Sequence, residues 1–470
     1  MSAGTTPTPR PARGAELELT IDSLAYGGAG VARRDGYVVF VQGGMPGDRV
    51  RAEVTKAKRA YAEARATEIL EPGPDRIAPV AEHPGAPWQV LRYERQLEVK
   101  EAQVAEALTR LGGFERVRVQ PIVAASQTWR YRNKLEYSFG SDATGRLICG
   151  FHAPGRWDEI IDVSDCLLAS EAANGACERI VEWCRSQGLA PYDRRTGTGL
   201  LRNLVVREGR RTGQLQVRLI TAPALESAPG GEPPGPLDAA AFAAVADCDG
   251  VMWTRSSRVG ETTAGGETEL ISGADYLDEE IGGIRVRISP EAFFQTNTEM
   301  AERLYEIAID RAQLSGFERV YDLFCGIGTI GLLMAPRAAE LWGLEVVPAA
   351  VADAIANASL NEIDGVHFFA GDVRLALREL VSRAGRPDVL VVDPPRAGLS
   401  QKVVRRIIEA SPRRIVYVSC NPTTLAPNAA QLVEAGYALG PVQPVDMFPQ
   451  TPHIECVAVL DRARPRPDAA

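Results

Sequence analysis

A chain of 470 residues, 45% hydrophobic and 24% charged, is soluble and globular in composition and too long for one core, so two or three domains are expected. No apolar run is long enough to cross a membrane, and the opening MSAGTTPTPRPARG lacks the apolar segment of a secretory signal. The net charge of −9 argues against a broad phosphate-binding surface but leaves local basic patches open, while eight cysteines without a CxxC pair and four histidines signal neither a zinc ribbon nor an iron–sulfur site and fit a reducing cytoplasm.

Residues 1–14 form a disordered arm by composition. From 15 to 73 the runs LELTI, GYVVFV, RVRAEV and EARATEIL alternate between glycine-rich turns, which predicts a small OB-like β-barrel. Its later strands carry Arg49, Arg51, Lys56, Lys58, Arg59 and Arg65, and Tyr26, Tyr37 and Tyr61 offer rings for base stacking; a solvated charged edge is the plainer alternative. EPGPDR is a linker. YERQLEVKEAQVAEALTRLGG predicts a helix with Leu97, Val104, Ala107, Leu108 and Leu111 on its apolar side, in a segment (93–124) expected to pack on the catalytic domain.

Residues 74–92 and 125–285 make a central, mainly β domain. In WRYRNKLEYSFG, Trp129, Tyr131, Leu135, Tyr137 and Phe139 share one face with Asn133, and Arg130, Arg132, Lys134 and Glu136 share the other, a half-buried strand presenting cations to solvent. The hairpin LLRNLVVREGRRTGQLQVRLIT adds Arg202, Arg207, Arg210, Arg211 and Arg218, together a phosphate-contacting sheet. ESAPGGEPPGP is a flexible loop, and residues 463–470 a disordered tail. Between them, residues 286–462 alternate strands with helices: an α/β, Rossmann-like doubly wound sheet.

The chemistry gathers in that last part. DLFCGIGTIGL follows the first strand and opens a helix, so Gly326 and Gly328 let the backbone approach a ligand. Glu345 ends the next strand, 17 residues beyond Gly328, where an acid can bind both ribose hydroxyls, and GD follows at Asp372. The loop is read as holding S-adenosylmethionine rather than NAD, although Gly331 completes the G-x-G-x-x-G spacing of a dinucleotide fingerprint. DPPR (393–396) and SCNP (419–422) end the fourth and fifth strands and face the same crevice. A strand cysteine is ordinarily inert core, but Cys420 ends its strand against Asn421-Pro422, whereas Cys325 in the cofactor loop reads as packing.

The ordered set FFQTN, DLFCGIGT, DPPRAG, SCNP and HIECV resembles the RNA 5-methyluridine (uracil-C5) methyltransferases. The front barrel is similar to the TRAM domain that many members carry, and YRNK, GFHAPGRWDEIIDVSDCLL and GLLRNLVVR to their central RNA-binding domain. The resemblance, over residues 15–462, implies that Gln295, Phe324, Glu345 and Asp393 hold S-adenosylmethionine with the loop residues Gly326, Gly328 and Thr329, and that Asp372 lies near the adenine. It implies Cys420 as nucleophile and Glu455 as base, with RNA gripped through Arg130, Arg132, Lys134, Lys56, Lys58 and Arg59. Many members hold a four-iron cluster on cysteines where this chain has AEHPGAPWQVLRY, so no cluster is expected here. A cytoplasmic monomer acting on RNA is expected, ribosomal RNA being favoured over transfer RNA by family analogy.

These residue types suit that reaction. Uracil C5 is a poor nucleophile until a thiolate adds to C6, and C5 must then lose its hydrogen to a positioned base. Apart from the resemblance, Glu455 reads equally as a surface acid of HIECVAVL. Two other classes stay open: an amino-group methyltransferase using DPPR without a cysteine, and an RNA-binding protein without catalysis.

Overall fold

Alternating apolar residues close the front barrel, because every second side chain of a strand points inward. Its six strands lie in the order Glu16–Thr20, Arg49–Ala57, Tyr61–Glu71, Tyr37–Gln42, Gly30–Arg34 and Ser23–Leu24, around Leu17, Leu19, Val39, Val41, Val50, Val54 and Ala62. The computed structural model describes residues 10–223, 237–258, 260 and 262–463; the loop 226–236 and most of both terminal segments lie outside them. The linker after the barrel is pinned back to it. Fully buried Asp48 accepts from the Met45 and Gly73 amides and from the Arg76 guanidinium, so its charge is paired and saturated.

The helix Tyr93–Gly112 forms as the periodicity predicts and ends at Gly113, whose φ of 71° suits a residue without a Cβ. Its buried face differs from the expected one. Leu111 is exposed, and Gln96, Lys100 and Gln103 are buried with Val99, Val104 and Leu108. Each polar member has a partner that a periodicity argument does not see. Lys100 Nζ donates to Asp446 at 2.7 Å, Gln96 Nε2 to the Trp88 and Leu91 carbonyls, and Gln103 Nε2 to the Leu24 carbonyl of the barrel.

The central sheet has seven strands, in the order Glu267–Gly273, Gly250–Arg255, Leu215–Thr221, Leu201–Glu208, Lys134–Ser141, Leu147–His152 and Ile160–Asp162. Two helices that the β-type pattern concealed, Glu171–Ser186 and Ala239–Ala246, supply apolar faces to its core. Ser170 and Asp238 cap them, accepting from the Ala173 and Ala241 amides.

The expected cationic face of this sheet is corrected. The strand begins only at Lys134, and Arg130 sits before it at φ 54°, its guanidinium on Asp165 and the Ala169 carbonyl. Lys134 pairs with Glu136 at 2.5 Å. Arg202, Arg207 and Arg218 are buried. Arg202 donates to the Ser256 and Gly260 carbonyls, Arg207 to those of Ser289 and Ala292, and Arg218 to Thr263 and Glu291. Arg210 and Arg211 pair with Glu299 and Glu302. These arginines staple the hairpin to neighbouring loops and so are not a row of free cations.

The catalytic sheet, numbered within itself, runs β3 (Val366–Ala370), β2 (Glu340–Glu345), β1 (Arg319–Leu323), β4 (Val389–Val392), β5 (Arg414–Ser419) and antiparallel β6 (Glu455–Arg462). Tyr437–Leu439 and Gln443–Val445 pair along β6. β1 to β5 are parallel and covered on both faces, which is why Val389–Val392 and Arg414–Ser419 are buried throughout. Strand order reverses between β1 and β4, and there the sheet opens a crevice at its carboxyl edge.

Candidate active site

The crevice is floored by the loop after β1. Phe324 at φ 63° and Gly326 at φ 54° turn the chain sharply, and the Phe324 and Cys325 amides both donate to the Leu344 carbonyl. Gly328, at φ 84°, starts the helix Thr329–Met334; a Cβ there would meet Phe368 at 3.0 Å and Ala354 at 3.1 Å. Thr329 is buried in the first turn. Glu345 at the end of β2 ties the loop together, accepting from the Gly326 amide at 3.2 Å and the Val347 amide at 2.9 Å. Asp372 caps the helix Val373–Ala384, and its bond to the Arg374 side chain holds its carboxyl below the usual range.

Acids crowd the crevice. Asp322 accepts from the Gly331 amide with one oxygen while the other is buried without a partner; burial, then Asp393, pushes its carboxyl up to about 8. Burial pushes Asp393 up to about 7, opposed by a hydrogen bond from Gln295. Gln295 is held by the central domain: buried Asn133 donates to its carbonyl and to Thr298, each at 2.8 Å. A cleft with several carboxylates and one orphaned buried oxygen fits a cationic nucleoside, and S-adenosylmethionine carries both a sulfonium and an ammonium. Of the residues expected to hold the cofactor, Phe324, Gly326, Gly328 and Thr329 lie in the turn after β1, Glu345 ends β2, Gln295 bonds Asp393, and Asp372 is a helix cap. Glu345→Ala should weaken S-adenosylmethionine binding by about 1.5–3 kcal/mol, the scale of charge-assisted hydrogen bonds. Titration calorimetry showing unchanged affinity would remove Glu345 from the cofactor set.

The candidate nucleophile and base lie on strands beyond β4. Ser419 of β5 pairs with Cys456 of β6, which brings Cys420, one residue on, opposite Glu455. Asn421 caps the helix Pro422–Glu434 through the Thr423 amide, so Cys420 sits just outside a helix N-terminus. Glu455 is no surface acid. It is 3% exposed, one carboxyl oxygen has no partner, and burial, then Asp393, pushes it well above its usual value against the pull of Arg396. The Cys420 thiol is half-buried and pushed up to about 11 by burial, then by Glu455 and Asp393, with Arg396 opposing. Cys325, by contrast, is buried in the apolar core with Phe368.

The thiol shift has a testable consequence. Alkylation follows the thiolate, so the rate at Cys420 in cofactor-free protein should climb roughly tenfold per pH unit past the ordinary cysteine pKa of about 8.5. It should level off only near about 11. Peptide-resolved iodoacetamide labelling against pH reads this, and a plateau reached near pH 9 would contradict it.

Three neighbours escaped the sequence reading. Arg396 stood inside DPPR and Asp322 inside DLFCGIGT, so both were within motifs but not singled out. Buried Tyr305, close to Asp393 and Glu455, lies on a helix whose apolar stripe hides it. In the region without cluster cysteines, Trp88 is buried with Leu24, Met45 and Leu91, and His83 Nε2 lies 3.2 Å from the Cys166 sulfur. Among the described residues, no three His, Cys, Asp or Glu gather as metal ligands, and no helix is long and apolar enough to cross a membrane.

Fold and crevice define a class I S-adenosylmethionine-dependent methyltransferase. A family model for tRNA (uracil-5-)-methyltransferases matches residues 266–463, and a TRAM domain model matches residues 11–67. The chain is 38% identical over 451 residues to an uncharacterized RNA methyltransferase of Halalkalibacterium halodurans, covering 95% of this chain and 96% of that one. It is 38% identical over 477 residues to another of Chlorobaculum tepidum, covering 96% and 97%. Among solved structures, the Pyrococcus abyssi tRNA (uracil-54, C5)-methyltransferase in complex with S-adenosyl-L-homocysteine is similar with a TM-score of 0.75 at 27% identity, covering 94% of this chain and all of that one. The chain belongs to the S-adenosylmethionine-dependent RNA (uracil-5-)-methyltransferase family.

Proposed function

We propose that the enzyme methylates C5 of a uridine in RNA through a covalent bond between the Cys420 sulfur and C6 of the ring, with Glu455 as the base. The observation that carries this is the buried, partly unpartnered Glu455 carboxyl facing the strand end that bears Cys420. An amino-group methyltransferase has no use for that pair. The Cys420 thiolate adds to C6, and the ring electrons move onto O4 and C5 as an enolate. Gln295, Phe324, Gly326, Gly328, Thr329, Glu345 and Asp393 would hold S-adenosylmethionine, which would supply the electrophilic methyl group that C5 takes. Glu455 then takes the C5 proton, the enolate reforms, and the C6–sulfur bond breaks to return the thiolate and release 5-methyluridine. A carboxylate of raised pKa is the stronger base for that step once ionised. The Arg396 guanidinium opposes the upward shifts of both Cys420 and Glu455, and a bound sulfonium would act in the same direction.

The base must be unstacked to reach this crevice. A cavity of about 340 Å³ lies between the central sheet and the FFQTN loop, its charged and aromatic lining being Arg132, Lys134, Glu136, Arg207, Phe151, Phe293 and Phe294. Lys58 and Arg59 are exposed at a barrel turn, and Lys56 pairs with Glu63 at 3.0 Å. We assign RNA backbone contact to Arg132, Lys134, Lys58 and Arg59 ahead of Arg130. Ribosomal RNA is favoured over transfer RNA by family analogy, against which stands the name of the similar Pyrococcus enzyme, a transfer RNA methyltransferase that spans 94% of this chain. The test is digestion and mass spectrometry of total ribosomal and transfer RNA from a deletion strain. Loss of 5-methyluridine from one uridine of either RNA is expected, and an unchanged 5-methyluridine content would refute the reading.

A further inference from the structure

The barrel does not stand apart from the chemistry. Its turn between Ser23–Leu24 and Gly30–Arg34 is closed by the Ala25 amide on the Ala29 carbonyl and the Gly28 amide on the Ala25 carbonyl. Three anchors press this turn onto the catalytic half. Leu24 packs with Trp88, Leu91 and Val99, and its carbonyl accepts from Gln103. Gly28, at φ 94°, lies so close to Pro452 and Trp88 that a Cβ would sit 3.1 Å and 3.0 Å from them. Pro452 itself is three residues before Glu455. Held this way, Tyr26 at the tip of the turn is 38% exposed and places its hydroxyl 3.5 Å from the Cys420 carbonyl oxygen, across 394 residues of sequence.

We propose that Tyr26 is a positioning residue of the front barrel that walls the uracil pocket beside Cys420 and fixes the flipped ring for attack at C6. The contact with the Cys420 carbonyl is long, so gluing the barrel in place is a poor account of the residue; the anchors at Leu24, Gln103 and Gly28 already do that. What an exposed aromatic face beside a nucleophile offers is stacking for a pyrimidine, which any base accepts and which costs no charge. The ring's neighbours from other elements are Cys420, Arg396, Glu455 and Cys456, among them the proposed nucleophile and base, and burial, then these thiols and the acid against Arg396, push its hydroxyl up to about 12. A tyrosine brought from the first thirty residues also ties reaction to a docked barrel: RNA held by the barrel and the base over Cys420 then share one rigid frame.

The inference rests on the proposed uracil chemistry and is tested against it with the full chain. Wild type, Tyr26→Phe, Tyr26→Leu and Tyr26→Ala are compared for thermal midpoint, S-adenosylhomocysteine affinity, RNA affinity, and single-turnover 5-methyluridine formation at saturating RNA. Tyr26→Leu keeps the packing bulk and loses the ring. It should slow the single-turnover step at least tenfold, as should Tyr26→Ala, while midpoint and cofactor affinity hold; Tyr26→Phe should stay within threefold of wild type. A Tyr26→Leu enzyme as fast as wild type would overturn the proposal, as would losses in every variant that simply track a lowered thermal midpoint. Wild type making no 5-methyluridine in any RNA would instead bring down the function itself, and this inference with it.

Discussion

Glu455→Gln should leave a protein that accepts RNA and cofactor, forms the thioether and methylates C5, yet cannot finish. An amide has no basic oxygen strong enough to take the C5 proton, so turnover should fall by about 10²–10⁴-fold, the usual contribution of a positioned base. The methylated adduct should accumulate on ordinary uridine RNA as a species that survives denaturation. The substitution is nearly isosteric and removes a buried carboxyl whose one oxygen is already unpartnered, so folding should be preserved. Near-normal turnover would move the base role to another group. Of the acids nearby, Asp393 is engaged by Gln295 and Asp322 by the Gly331 amide.

Cys420→Ala should have the larger effect: no adduct and no detectable 5-methyluridine, because without the C6 bond C5 never becomes nucleophilic. Cofactor affinity should hold, since the Gly326 loop and Glu345 are bonded independently of Cys420. Cys325→Ala is the paired control. That sulfur is packed in the core under the cofactor loop, so its loss should cost stability and cofactor affinity but leave the covalent chemistry intact. Equal inactivation of both variants with intact folding would mean that the two cysteines had been told apart wrongly.

The placement of the candidate site residues was legible because they sit on strand ends and turns, where short motifs encode backbone geometry. The glycines of DLFCGIGT declare the sharp turn, and Glu345 declares the end of β2. The position of Cys420 before Asn421-Pro422 declares both a strand end and a capped helix. Whether Glu455 is exposed could not be read from its own strand, because strands on both sides of β6 pair with it and neither is marked in HIECVAVL. The basic face of the central sheet misled for a related reason. Alternation tells which side chains share a face but not that Ser289, Ala292, Ser256 and Gly260 present carbonyls to Arg207 and Arg202. In the helix Tyr93–Gly112 the buried Lys100, Gln96 and Gln103 find partners in Asp446, Gln450 and Leu24, each remote in sequence. Tyr26 is the extreme case: its turn was visible as YGGAG, and its neighbour Cys420 was not.

The central claim is the bond between Cys420 and uracil C6, and a denaturing gel with labelled 5-fluorouridine RNA addresses it directly. Fluorine at C5 cannot be removed as a proton, so the wild-type enzyme should methylate the ring and remain attached to it. The account predicts a slow-migrating protein–RNA band that needs S-adenosylmethionine, maps to the peptide containing Cys420, and is absent from Cys420→Ala. Full turnover of uridine RNA by Cys420→Ala, or a wild-type enzyme that releases 5-fluorouridine RNA without ever forming the band, would contradict it.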